Sequence, residues 1–513
     1  MKTLYLLSLA LVLSLTSCNQ QPPIALDYSL EDSPMIPKPM EVNATNQAFG
    51  LDAKTTISYT GSEELKSQAE LLQSYMETDF GLALQIQENS SSHQTIELNL
   101  NLKSDHKEAY QLEISNSSIK LEGATAAGVS RGIQTLRQLI SINPVKGSEN
   151  TRALPTGMIK DHPAMAYRGA MLDVARHFFT VEEVKRYIDQ LAYYKINKFH
   201  MHLTDDQGWR IEIKSWPKLT QVGGATEVGG ASGGFYTQEE FKDLVAYAAL
   251  RHIEIIPEVD MPGHTNAASV AYPKLNGNGK TPELYEGTEV GFSTFNTKSE
   301  EVYQFIDDVV GELAAISPSP YFHLGGDESH ATKKEDFIYF INRVSMIVSN
   351  HDKEVLGWDE IAHADLKKPA VAQFWASNDN AKLAEKKGHK VLLSPAKKIY
   401  LDMQYDSLSP YGLHWAAYIP VKDAYNWDPY SYAGIEESNI FGIEAPLWSE
   451  TIYDTPSLEY LAFPRIVAVA ELAWMPKGTT NWDDFKRRLG GQAPYFKRSS
   501  INYYASPDIN WEY

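Results

Sequence analysis

Residues 321–328 read YFHLGGDE, a short apolar run that ends in two glycines and two adjacent carboxylates. Tyr321–Gly325 has the length and composition of a buried strand, and the turn after it carries the charge. Segments of the same kind recur on both sides, at Ala170–Val174, Lys198–Leu203, Glu254–Glu258, Glu354–Gly357, Ala370–Phe374, Lys390–Leu393 and Ile440–Glu444. Amphipathic helical pattern separates most of them. Strands alternating with helices predict a parallel sheet, and eight such strands predict an α/β fold of the closed (β/α)8 TIM-barrel kind, over residues 161–480.

The segments just past these strands hold Arg176, Asp205, Asp260 with His264, Asp327 with Glu328, Trp358, Trp375, Tyr400 with Asp402, and Trp448 with Glu450. In such a barrel the C-terminal strand ends are where active sites are built. Eight polar or aromatic positions in register are hard to obtain from solvated loops. Between Pro395 and Asn439 no helical pattern is evident, but aromatics are frequent, among them Tyr405, Tyr411, Trp415, Tyr418, Tyr425 and Trp427. A long aromatic loop beside a barrel mouth suits the wall of a sugar site as well as it suits packing on the barrel.

Ahead of the barrel, residues 36–160 suggest a small α+β accessory domain, with helices at Glu63–Phe80 and Ala124–Ile140 and strands near Thr95–Leu100 and Tyr110–Glu122. Pro144, Gly147, Pro155 and Gly157 read as a linker into the barrel. Residues 481–513 are expected to form a C-terminal helix and tail packing on it.

The N-terminus has the marks of a targeting segment: Lys2, an apolar run from Leu4 to Leu15, then Leu15-Thr16-Ser17-Cys18. That run is too short to span a bilayer, and its last four residues resemble a bacterial lipobox, ending a signal peptide at residues 1–18. Cys18 is the only cysteine of the chain. A lipid anchor there, on an exported protein of the cell envelope, is therefore expected, with residues 19–35 as a polar tether. A net charge of −20 over 513 residues repels phosphate backbones, so no nucleic-acid partner is expected.

The adjacency of Asp327 and Glu328 constrains the chemistry. An ordinary glycosidase pair flanks the scissile bond from opposite sides, whereas neighbouring residues on one strand end approach it from the same wall. If Glu328 is the general acid, the nucleophile comes from elsewhere, and the carbonyl oxygen of a 2-acetamido sugar supplies it in substrate-assisted hydrolases. Asp327 then accepts the acetamido N–H and balances the charge of an oxazolinium-like intermediate.

On HLGGDE, together with YRGAMLDVARHF (167–178), HMHLTDDQGWR (200–210), IPEVDMPGH (256–264), GWDE, QFW, IYLD and EAPLWSE, the chain from Ile36 to Trp474 resembles the glycoside hydrolase family 20 β-N-acetylhexosaminidases. The resemblance implies exo-acting, retaining release of terminal β-linked GlcNAc or GalNAc from glycans, with no metal and no cofactor. It implies that Arg176 grips hydroxyls of the terminal sugar and that Asp205 and His264 form a relay to Glu328. By the same likeness Trp358, Trp375 and Trp448 box the acetamido group and sugar face, Tyr400 bonds the acetamido oxygen, and Asp402 and Glu450 bind the outer hydroxyls. Two other readings compete. His200-x-His202 at a strand end also begins the site of metal-dependent amidohydrolases, but Trp358 and Trp375 stand where further ligands would be needed. A non-catalytic glycan-binding lipoprotein would use the aromatics without needing a tuned acid.

Overall fold

The parallel pairing predicted for the second part of the chain closes on itself in the computed structural model, which describes residues 24, 26, 28–90, 94–140, 144–146, 148 and 150–512. The expected signal peptide, Cys18, the first part of the tether and Gly147 lie outside the described residues. Eight strands, β8 (Tyr167–Asp173), β9 (Lys198–His202), β10 (Glu254–Glu258), β11 (Tyr321–His323), β12 (Glu354–Trp358), β13 (Ala370–Phe374), β14 (Lys390–Leu393) and β15 (Ile440–Ala445), form the barrel, and β15 returns to pair with β8. The fold is thus a TIM barrel with an N-terminal accessory domain. Helices 181–193, 238–250, 300–316 and 334–350 lie outside it, the first two opened by N-caps written in the sequence. Thr180 and Glu183 make a reciprocal capping box, as do Thr237 and Glu240.

The barrel interior is layered. An apolar cluster of Tyr167, Ile256, Leu356, Val371 and Leu392 lies nearer the strand starts. His200, His202, Glu258, His323, Gln373 and Glu444, all buried, occupy the strands beyond it. Trp358, Tyr400 and Trp448 form a further cluster toward the mouth. Such a polar middle depends on its groups satisfying one another, and hydrogen bonds link His200 and Gln373 to Glu444 and His202 and Trp358 to Glu258.

The accessory domain is a seven-stranded mixed sheet, order β1-β7-β5-β6-β4-β2-β3, with β1 (Glu41–Leu51), β2 (Thr56–Tyr59), β3 (Gln85–Glu88), β4 (Thr95–Asn99), β5 (Tyr110–Ile114), β6 (Ser118–Gly123) and β7 (Arg152–Asp161). Helix 63–80 begins where the Ser62 side chain accepts from Leu65 N and ends at Gly81, whose φ of 70° suits glycine. Helix 126–139 is its companion.

Three expectations are corrected. The stretch Tyr110–Glu122 is a hairpin, β5 and β6, turned at Ser115. Pro155 and Gly157 lie inside β7, not in a linker. The sheet tolerates them because β1 shifts register against β7 between Ala44 and Ala48, so the missing proline N–H falls at an irregularity. Gly157 is required there: its φ is 147°, and a Cβ would stand 2.3 Å from the Asn43 carbonyl oxygen. Finally, the distal part of the expected tether is packed structure. Leu30 and Met35 are buried in the accessory-domain core, and the Arg487, Arg488 and Gln492 side chains donate to the carbonyls of Asp32, Met35 and Pro34. The C-terminal region supplying those donors is two short helices, 482–490 and 493–498. The long segment 395–439 carries two short α-helices, Ala396–Ile399 and Val421–Tyr425, and two single 3-10 turns, Tyr432–Gly434 and Glu437–Asn439, within its irregular course.

Candidate active site

The site is assembled from turns at the C-terminal strand ends, and the glycine pair after β11 shows how. Gly325 has φ of 68° and Gly326 of 105°, and a Cβ on Gly325 would fall 1.8 Å from Asp260 Oδ1. The backbone can therefore pass against Asp260, which accepts from Gly326 N at 2.9 Å. Glu328 itself has φ of 43°, an uncommon conformation for a non-glycine residue and one that tends to mark functional turns. The result is that Asp327 and Glu328 both reach the mouth.

There they line a cavity of about 240 Å³ with Arg176, Trp375, Tyr400, Asp402, Trp448 and Glu450. Thus eight residues singled out from the sequence, scattered over strand ends from 176 to 450, converge on one small enclosure. Asp205 and His264 are buried behind it. Trp358 lies one layer lower, only 1% exposed, its ring 5.5 Å from that of Trp448. Its indole is held inward because Nε1 donates to Glu258 at 2.9 Å.

A chain of charged groups backs Glu328. Asp205 lies 2.9 Å from Arg176 Nη1 and 3.1 Å from His264 Nδ1. The far nitrogen of His264 faces Asp327 and Glu328, each at 3.7 Å. Burial alone would raise the Asp205 pKa, but Arg176 and His264 hold it well below the usual carboxylate range. Burial disfavours a charged His264, yet Asp205, Asp260 and Asp327 push its pKa well up. Asp327 is shifted upward by burial and then by the neighbouring Asp260.

The polar atoms left over are informative. Asp327 Oδ1, both carboxylate oxygens of Asp402, Glu450 Oε2 and Arg176 Nε are buried without a hydrogen-bond partner among the described residues. Orphaned buried groups are costly, and a cluster of them around one cavity is what a polar ligand seated there would satisfy. Four acceptors and one donor around a small cavity match a hydroxyl-rich, amide-bearing molecule. The enclosure also has apolar faces in Trp375 and Trp448, which suit a methyl group or the C–H face of a sugar. Trp375 is fixed through Nε1 to Glu360 and through its backbone N–H to Asp359.

Thr288, Val290, Leu413 and Trp415 complete the lining, the first three at positions that no sequence signal marks and Trp415 from the aromatic loop read as a sugar-site wall or as packing. Trp415 was visible only as one aromatic among many in the long loop. Its position depends on cross-chain bonds: Leu413 N donates to Asp402 O, and Arg465 donates to the carbonyls of Leu401 and Ile419. The His200-x-His202 pair is part of the barrel interior, where His200 bridges Glu258 and Glu444 and His202 bridges Glu258 and Asp205.

Comparison with known proteins agrees over almost the whole length. Residues 165–477 match the family profile "Glycosyl hydrolase family 20, catalytic domain", and residues 32–162 match "Glycosyl hydrolase family 20, domain 2". A β-N-acetylhexosaminidase of Cellulomonas fimi is 36% identical over 490 residues, covering 94% of this chain and 98% of that protein. The family 20 β-N-acetylhexosaminidase structure from Streptomyces coelicolor A3(2) superposes with a TM-score of 0.90 at 42% identity, covering 94% of this chain and 99% of the other. A mutant Streptomyces plicatus β-hexosaminidase in complex with product (GlcNAc) gives a TM-score of 0.90 at 43% identity, covering 95% and 99%.

Proposed function

The chain belongs to glycosyl hydrolase family 20, and from that premise we propose that it is an exo-acting β-N-acetylhexosaminidase that removes terminal β-linked GlcNAc or GalNAc from glycans with retention of configuration. The observation that carries this reading is the buried, unpartnered Oδ1 of Asp327, an acceptor beside the general-acid candidate in a tryptophan-walled cavity of monosaccharide size.

Arg176, Asp402 and Glu450 receive the outer hydroxyls, which encloses the non-reducing end and directs cleavage to terminal residues. Trp448 and Trp375, with Trp358 beneath, press the acetamido arm under the ring, and Tyr400 orients its oxygen. That oxygen attacks the anomeric carbon as Glu328 donates its proton to the departing glycosidic oxygen, so the C–O bond breaks while the oxazolinium ring forms. Asp327 accepts the acetamido N–H. Burial and the neighbouring Asp260 keep its pKa high against the opposing pull of His264, and the positive charge developing on the substrate favours its carboxylate at the moment it is needed. Glu328 then takes a proton from water, whose oxygen adds to the anomeric carbon from the face the leaving group vacated as the ring bond from that carbon to the acetamido oxygen breaks and the amide is restored. Two displacements retain configuration.

A chromogenic N-acetylglucosaminide tests the reading: turnover that persists with chelator, near-inertness of the 2-hydroxy analogue, and strong inhibition by a thiazoline mimic are expected. A sugar trapped covalently on a protein side chain during turnover would refute the mechanism. On location, the reading of an exported protein anchored at Cys18 rests on the lipobox-like Leu15–Cys18. No described helix is long and apolar enough to cross a membrane. Replacing Cys18 by Ala should release the protein from membranes, and protein that still fractionates with them after a salt wash would rule the anchor out.

A further inference from the structure

Glu258 ends β10, level in register with His202 on β9 and His323 on β11, and is fully buried in the barrel interior. Four side chains converge on its carboxylate. His202 Nδ1 lies 2.6 Å and His200 Nε2 2.9 Å from Oε2, while His323 Nδ1 and Trp358 Nε1 each lie 2.9 Å from Oε1. Two of these lead to the reacting sugar. Trp358 underlies Trp448 beneath the acetamido pocket, and the other nitrogen of His202 lies 2.9 Å from Asp205, which leads through His264 to Glu328.

We propose that Glu258 is a positioning residue for hydrolysis, one buried carboxylate that fixes both the tryptophan floor of the acetamido pocket and, through His202, the Asp205–His264 arm behind the general acid. The inference rests on the hexosaminidase reading and adds to it a group that touches no substrate.

The chemistry of His202 supports it. Each of its nitrogens faces a carboxylate, an acceptor-only group when ionised, so each needs an N–H and the ring is an imidazolium. Burial disfavours that cation, but Glu258 and the bond to Asp205 raise its pKa well above the ordinary value. Charges therefore alternate from Glu258 to His202, Asp205 and His264, ending at the acid. The other charged or titratable groups facing this set are His200 on β9, His323 on β11, Glu444 on β15, Asp173 on β8, Arg176, Asp206 beside Asp205, Asp260 beyond β10, and Asp327 and Glu328 at the far nitrogen of His264. Without Glu258, His202 loses one of its two counter-charges and Trp358 loses the acceptor that sets its ring.

The test is the pH profile of Glu258→Gln, which keeps the shape and removes the charge. Loss of a negative charge lowers the pKa of every cation or acid coupled to it, so the alkaline limb of kcat/KM should move to lower pH by about one unit. KM for N-acetylglucosaminides should rise several-fold as the floor loosens. Trp358→Phe, which cuts only that branch, should raise KM and leave the limb in place. A Glu258→Gln enzyme whose profile overlays the wild type, whatever its yield or Tm, would overturn the proposal. Should that variant fail to fold, His202→Gln carries the same test: an altered alkaline limb supports the network and an unaltered one refutes it. Wild-type protein without hexosaminidase turnover would sink the functional reading itself, whereas active wild type with unshifted variants would sink only this inference.

Discussion

Among single residues, the sharpest distinction is between the two adjacent carboxylates. Glu328 is partly open to the mouth, as the proposed general acid needs to be, whereas Asp327 is buried against His264 and Asp260. Their substitutions should therefore fail differently. Glu328→Gln is expected to lose roughly 10²–10⁴-fold in kcat on substrates with poor leaving groups and much less on activated aryl glycosides, which leave without protonation. An equal loss on both substrate types would contradict its role. Asp327→Asn should be severely impaired on both, because the amide keeps the shape but cannot balance an oxazolinium. Comparing the two variants on a nitrophenyl glycoside and on a disaccharide measures both expectations.

Elements follow local rules except where distant chain overrides them. The helix 63–80 is written completely in its own sequence: a Ser62 cap, buried Leu65, Ala69, Leu72 and Met76 on one face, and Gly81 past the end. The strand β7 is the opposite case. Pro155 and Gly157 are local breakers, and only the pairing with β1 and β5 makes them strand. Because a Cβ at 157 would meet the Asn43 carbonyl and the backbone sits at positive φ, Gly157→Ala should cost about 1–3 kcal/mol, read by chemical denaturation. Its kcat should stay unchanged, since the site lies on the barrel.

The whole molecule joins its two parts through buried charge. Glu108 of the accessory domain is bonded by Arg131 of helix 126–139 and by Arg168 of β8, both arginines fully buried. Removing the carboxylate strands two buried cations, so Glu108→Ala is expected to destabilise by about 3–5 kcal/mol and to lower Tm with little effect on KM. The charged barrel interior gives the molecule a pH dependence as well. Burial opposes the His200 cation, but Glu444 and Glu258 push its pKa up to about 9. A histidine raised above its unfolded value of about 6.5 contributes stability in full below that pH and loses it as pH climbs toward the folded value. Tm should accordingly decline between about pH 6.5 and 9, and His200→Gln should show a shallower decline over the same window. A variant with the wild-type slope would show that His200 is not the group responsible.

What the sequence determined by itself is what neighbouring residues decide together: the alternation of strand and helix, the caps, and the chemistry placed just past each strand, from Arg176 to Glu450. A barrel turns that local order into a site, because parallel strands bring all their C-terminal ends to one face. The resemblance of HLGGDE and its companion segments could therefore assign roles before any distance was known. Tertiary structure alone decided the rest. The packing of Leu30 and Met35 against the C-terminal region, the strand character of Pro155 and Gly157, and the arrival of Trp415 at the cavity all depend on partners remote in the chain. So does the hub at Glu258, whose bond to Trp358 spans 100 positions. A buried carboxylate acquires its charge state and its purpose from the groups folded around it, and one strand's sequence does not contain them.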